Sequence, residues 1–111
     1  MIYYTGEVGR RMHVFYLMNE FIPVFKEIVF LMPQEFDAHD FILQLIHQAP
    51  ISYFSILRTT ESNVALANAQ ISNYLKNNAG FYSLTFTGKA ESLDIFQEVS
   101  ECATFKKNVK K

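Results

Sequence analysis

The stretch Asp37–Pro50, DAHDFILQLIHQAP, carries the clearest element boundaries in the chain. Asp37 is placed to cap a helix, Asp40 falls at its third helical position, and Phe36 and Phe41 are spaced as a hydrophobic staple. Phe41, Ile42, Leu45 and Ile46 recur on one helical face, and Ala49-Pro50 closes the element. Upstream, Phe21, Ile22, Phe25, Ile28, Val29 and Met32 show the same periodicity. Pro23 is tolerated only in a first turn, so this helix begins at Glu20–Ile22, and Pro33 stops it. Downstream, Ile51, Phe54, Ile56 and Leu57 supply the apolar side of a short helix. Thr59–Asn63 is a polar break and a source of caps. Val64, Ala67, Ile71, Tyr74 and Leu75 then define a fourth helix, released at Asn77–Gly80 by a glycine C-cap.

Beyond Gly80 the period changes to two. Tyr82, Leu84 and Phe86 alternate with Ser83, Thr85 and Thr87, which predicts a strand turning at Gly88-Lys89. Ala90–Phe96 then admits two readings: a returning strand, or a helix capped by Ser92 with Leu93, Phe96, Val99, Cys102 and Ala103 as its stripe. Helical spacing persists longer, so a helix is expected over at least Phe96–Phe105. The chain thus divides into an N-terminal arm or hairpin over 1–18, one mainly helical α+β domain over 19–105, and a basic tail over 106–111. The arm is apolar on both alternating faces, and Gly6 and Gly9 join its two halves.

The order helix, short helix, polar turn, longer helix, strand with a Gly turn, spanning Asp37 to about Phe96, resembles a winged helix-turn-helix domain. That resemblance implies that Val64–Asn78 is the recognition helix and that Tyr82–Ala90 begins the wing. It also implies duplex DNA as a ligand, read by an amide-rich helix face. The residues concerned would be Gln70, Asn73, Lys76 and Asn77, with Lys89 on the wing and Lys106 and Lys107 in the tail. Asn and Gln hydrogen-bond adenine edges in a major groove.

Charge points the other way. The formal net charge of the 111 residues is −1. From Asn19 to Phe105, however, Lys26, Arg58, Lys76 and Lys89 face ten acids: Glu20, Glu27, Glu35, Asp37, Asp40, Glu61, Glu91, Asp94, Glu98 and Glu101. A body of −6 repels phosphate. The bases collect at the ends, in Arg10 and Arg11 and in Lys106, Lys107, Lys110 and Lys111.

Signatures of catalysis are weak. Cys102 is the single cysteine, so no disulfide framework forms within one chain, and beside Ala103 it reads as a small hydrophobe. His39, His47, Asp37 and Asp40 are the one cluster that resembles a catalytic or metal site, but the two histidines, eight residues apart, are separated by roughly 12 Å along a helix and cannot share an ion there, while Asp37 and Asp40 read as a cap and a dipole partner. Gly6 and Gly9 lack the Lys-Ser/Thr of a phosphate loop. No catalytic residue, metal set or cofactor is therefore expected. The best apolar run, Phe21–Met32, contains Pro23, Lys26 and Glu27, which excludes it as a membrane span. Arg10-Arg11 precedes a run of only seven residues, Met12–Met18, and no small-residue cleavage site, so a cytoplasmic location is expected.

The aromatic content is the most telling feature. Eleven Phe and six Tyr are hard to hide in a domain that buries only about 60–70% of its unfolded surface. A non-catalytic regulatory or adaptor module is expected, one that binds protein, itself included, through apolar surface. Tyr3, Tyr4, Phe15, Tyr16 and Leu66 are the contact candidates, with Met12 and Val14 beside them. The expected homodimer is held by Met1–Tyr16 or by the excess apolar face of the first helix.

Overall fold

A computed structural model of the chain describes residues 20–108. The first helix, α1 (Ile22–Leu31), has Pro23 in its first turn and ends before Pro33, as the proline rules require. It buries Phe25, Ile28 and Val29. Phe25 is the hub of the core. Its ring meets Phe41 edge-on at 5.4 Å and Tyr74 at 5.5 Å, and lies 6.3 Å from Tyr82. Edge-to-face pairs of this kind stabilise beyond their buried area.

A short strand, β1 (Glu35–Asp37), follows, and the spacing of apolar residues gave no sign of it. Its origin is local. Asp37 takes the extended backbone of an N-cap, φ −114° and ψ 170°, so the chain enters α2 (Ala38–Gln48) from a β conformation that is free to pair. The cap itself is as expected: Asp37 Oδ1 accepts the Asp40 N–H at 2.9 Å. Phe36 and Phe41 stack at 6.4 Å, completing the staple. Replacing Asp37 with Ala should cost about 1 kcal/mol, read as a lowered denaturation midpoint at unchanged slope.

Pro50 disfavours helical backbone at Ala49, which sits at φ −142°, and then opens α3 (Pro50–Thr59) at its first position. Here the expected apolar side is corrected. The inward residues are Tyr53 and Ile56, whereas Ile51 is 81% and Phe54 60% exposed. Tyr53 takes an inward place with its hydroxyl bonded to Asn68 Oδ1 at 2.8 Å, while Ile56 and Leu57 of the expected stripe do face the core. Burial pushes the Tyr53 hydroxyl above its ordinary pKa, a shift moderated by that bond.

Two left-handed residues, Glu61 (φ 56°) and Ser62 (φ 63°), reverse the chain. Asn63 then caps α4 (Val64–Asn77) by accepting the Leu66 N–H at 3.0 Å. Ala67, Gln70, Ile71, Tyr74 and Leu75 face inward. The glycine C-cap is not formed. Asn78 is the C-cap and donates through Nδ2 to Tyr74 O, and Gly80 opens a 3-10 turn (Gly80–Tyr82) instead. The left-handed role falls to Ser83, at φ 57°.

β2 (Leu84–Leu93) and β3 (Val99–Lys107) form a long antiparallel hairpin. This overturns the helix expected over Phe96–Phe105. Leu93, Phe96 and Val99, read as helical knobs, are exposed at the hairpin end, while Cys102, Ala103 and Phe105 are buried along β3. The physical reason is pairing: Leu84–Ala90 needs a neighbouring strand, and a ten-residue helix gains little alone. The turn also moves. Gly88 does not reverse the chain; it sits at a β-bulge with φ +132°, where the register slips between Phe86 and Gly88. Reversal comes at Asp94–Glu98, where Asp94 Oδ1 accepts the Phe96 and Glu98 N–H groups at 2.8 and 3.0 Å. Gly88→Ala should cost roughly 1–3 kcal/mol for backbone strain. No steric term adds to it, since a Cβ there meets nothing within 4 Å. Thermal melting of the variant checks this.

The sheet order is β1-β3-β2, all antiparallel. Phe36, Phe105 and Phe86 align across it, with ring centroids 5.6 and 6.1 Å apart. The architecture of the described residues is thus α+β, four α-helices with a three-stranded sheet. The basic tail is shorter than expected. Lys106 and Lys107 belong to β3, paired beside Glu35 and Leu84, and Lys107 Nζ donates to Phe30 O at 3.1 Å. Lys110 and Lys111 lie outside the described residues, as do the arm residues 1–18.

Candidate functional site

Among the described residues two concave surfaces stand out. The larger, about 550 Å³, runs between α4 and the hairpin, with the start of α2 at its floor. From α4 it takes Asn68, Ser72, Asn73 and Lys76, and from the hairpin Lys89, Glu101 and Cys102. Among the nucleic-acid candidates, then, Asn73, Lys76 and Lys89 are brought together. Their charges are already engaged: Lys76 Nζ lies 4.7 Å above the Phe86 ring, and Lys89 Nζ is 3.8 Å from Glu101. Gln70 is corrected outright. It is only 5% exposed, and its Oε1 has no hydrogen-bond partner among the described residues, so it cannot reach a base edge. Asn77 is exposed but does not line the groove, and Lys106 and Lys107 sit at the far end of β3.

At the floor, His39 joins three elements. Its Nδ1 is 2.6 Å from Ser92 Oγ on β2, and its Nε2 is 3.2 Å from Ser100 Oγ on β3. Ser92 Oγ also lies 3.6 Å from Cys102 Sγ. Asp37, at the cap of α2, completes the group: its carboxylate, the His39 ring and the Cys102 thiol have ligand atoms all within 4.8 Å of one another. Asp40, next along the helix, has its pKa raised by burial and by the Asp37 charge, with His39 opposing. His47, the other histidine of this helix, is exposed near the far end of α2 and takes no part in the group. Cys102, sixty-three residues from His39 in sequence, arrives through β3, and nothing local in the sequence announces it.

The smaller concavity, about 330 Å³, lies between α1 and the 3-10 turn. Val29, Phe30, Phe81 and Tyr82 supply its apolar surface, with Lys26 and Lys107 at the edges. Phe30 is 80% and Phe81 55% exposed. Lys26 Nζ lies 4.8 Å from the Phe81 ring centroid. Burial and the neighbouring Tyr74 hydroxyl, 2.8 Å away, hold the Tyr82 hydroxyl protonated well above the ordinary tyrosine range. Of the sequence-derived contact residues, Leu66 is half-buried on α4 and belongs to neither surface. Tyr3, Tyr4, Phe15 and Tyr16 lie outside the described residues. On the first helix Phe30 and the half-exposed Leu31 are apolar groups in solvent, outside the stripe of Phe25, Ile28, Val29 and Met32 that the core buries. Phe81 carries no periodic signal of its own, because it lies in a three-residue 3-10 turn between the end of α4 and the alternating segment that begins at Tyr82.

Comparison of the chain with protein-family models, with curated proteins and with solved structures finds no match. Among the described residues no helix is long and apolar enough to cross a membrane.

Proposed function

We propose that the chain is a non-catalytic protein-binding module of winged-helix arrangement that associates first with a second copy of itself. The observation that carries this is the apolar surface of α1 and the 3-10 turn, where Phe30 and Phe81 stand exposed around one shallow groove. Apolar surface left contiguous in this way marks contact sites. Ile51 and Phe54 on α3, and Leu93, Phe96 and Val99 at the hairpin end, offer further apolar contact for a different partner. The winged-helix arrangement draws support from the element order and from a hairpin following α4 in a β1-β3-β2 sheet.

Duplex DNA is the weaker ligand on electrostatic grounds. The hairpin carries four acids, Glu91, Asp94, Glu98 and Glu101, against Lys89, and the two bases that line the groove with Asn73 are engaged by Phe86 and Glu101. A catalytic role has less support, since both His39 ring nitrogens meet serine hydroxyls and neither is oriented by a carboxylate, as a nucleophile–base–carboxylate relay requires. Fluorescence anisotropy with labelled duplexes across a salt series distinguishes the ligands. We expect no binding at physiological salt. A complex that survives there and is lost in Asn73→Ala would establish DNA as the ligand instead.

A further inference from the structure

We propose that Asp37, His39 and Cys102 form a binding site for a divalent cation of the zinc class, which clasps the β2–β3 hairpin to the start of α2. The donor set is the first argument. Thiolate, imidazole and carboxylate together are zinc donors, whereas magnesium and calcium require oxygen ligands throughout. Geometry is the second. The three ligand atoms lie within 4.8 Å of one another. Around a tetrahedral zinc with bonds of about 2.0–2.3 Å, ligand atoms are roughly 3.3–3.7 Å apart. The group is therefore about 1 Å too open, a closure within reach of side-chain rotation at the half-buried Asp37 and His39.

The surroundings supply the third argument. A metal-binding histidine gives its second ring nitrogen to an oxygen that fixes the ring. His39 has this arrangement: Nε2 rests against Ser100 Oγ, and Nδ1 points to the side of Ser92 and Cys102. Ser92 Oγ bridges Nδ1 and Sγ, so the hydroxyl marks the space between the two ligands; an ion there replaces that hydrogen bond, and water completes the fourth position. The opposing consideration is the positive end of the α2 dipole, which repels a cation. The Asp37 carboxylate and the Cys102 thiolate together carry two negative charges and offset it. Asp37 keeps its cap while binding, since Oδ1 serves the Asp40 N–H and a carboxylate has lone pairs to spare. Binding converts the Cys102 thiol to a thiolate, and its proton leaves to solvent, one per ion bound.

Cobalt(II) titration of the full reduced chain tests this directly. Cys102 is the single cysteine, so thiolate-to-cobalt charge-transfer absorption reports this residue alone. We expect that absorption to appear, to be erased by added zinc, and to be absent in Cys102→Ser. His39→Gln and Asp37→Asn should each weaken the apparent affinity by more than tenfold, and Ser100→Ala by about tenfold, the usual effect of losing an outer partner. Asp37→Asn preserves the helix cap, because Asn caps as well as Asp, and a cooperative metal-free melt of each variant shows that it folds. Absence of the absorption in the native chain overturns the proposal. So does absorption of undiminished affinity in both His39→Gln and Asp37→Asn, which would reduce the site to a lone thiol.

Discussion

Phe25→Ala is expected to cost about 3–5 kcal/mol, the range for deleting a fully buried aromatic side chain. Phe25 has no exposed surface and holds α1 to the rest of the molecule through rings on α2, α4 and the 3-10 turn. Its removal strips Phe41, Tyr74 and Tyr82 of their shared neighbour and leaves a cavity bounded by three separate elements. Those elements cannot all move inward at once, so relaxation is partial and the cost lies toward the upper end. Total stability of a domain of this size is about 5–15 kcal/mol, and a loss of this order removes a large share of it. Urea denaturation followed by circular dichroism measures the effect. A midpoint within experimental error of the native value would mean that α1 is not part of the cooperative core.

The second large effect concerns association. Phe30→Glu and Phe81→Ser each remove an apolar group from the α1 surface and should weaken self-association by about 1–3 kcal/mol, or roughly five- to 150-fold. Both side chains are mostly in solvent, so folding stability should change little, by about 0.5 kcal/mol. Together the two substitutions are expected to leave a folded monomer. Substituting Ile51 and Phe54, on α3, should spare self-association and serves as the control.

Helix-forming patterns were legible where local chemistry and packing agree. The Asp37 cap, the Phe36–Phe41 staple, both proline boundaries and the Asn63 cap all follow from residues within five positions of one another. Features set by partners distant in sequence were not. β1 is three residues long and exists because β3 lies beside it. Val99–Lys107 lacks clean alternation, since Cys102 and Ala103 are both buried, so a stripe spaced by three and four competed with a strand. Gly88 was read as a turn because a glycine amid alternating residues signals either a turn or a bulge, and only pairing with Thr104 decides between them.

The site follows the same division. Lys76, Asn73 and Lys89 were found because one helix face and one strand place them. The His39 group needed α2, β2 and β3 at once, and no single stretch of sequence contains it. Gln70 was expected on the solvent face but is buried with Ala67, Ile71, Tyr74 and Leu75, because α2, α3 and β3 all pack on α4 and cover more of it than its apolar stripe implies.

Light scattering of the native chain over a micromolar concentration series tests association through apolar surface most directly. We predict a weight-average mass that rises with concentration from the 12.9 kDa of one chain toward twice that value. The rise should be insensitive to added salt, as contact between apolar groups requires. A mass that stays at that of one chain throughout the series would contradict the account.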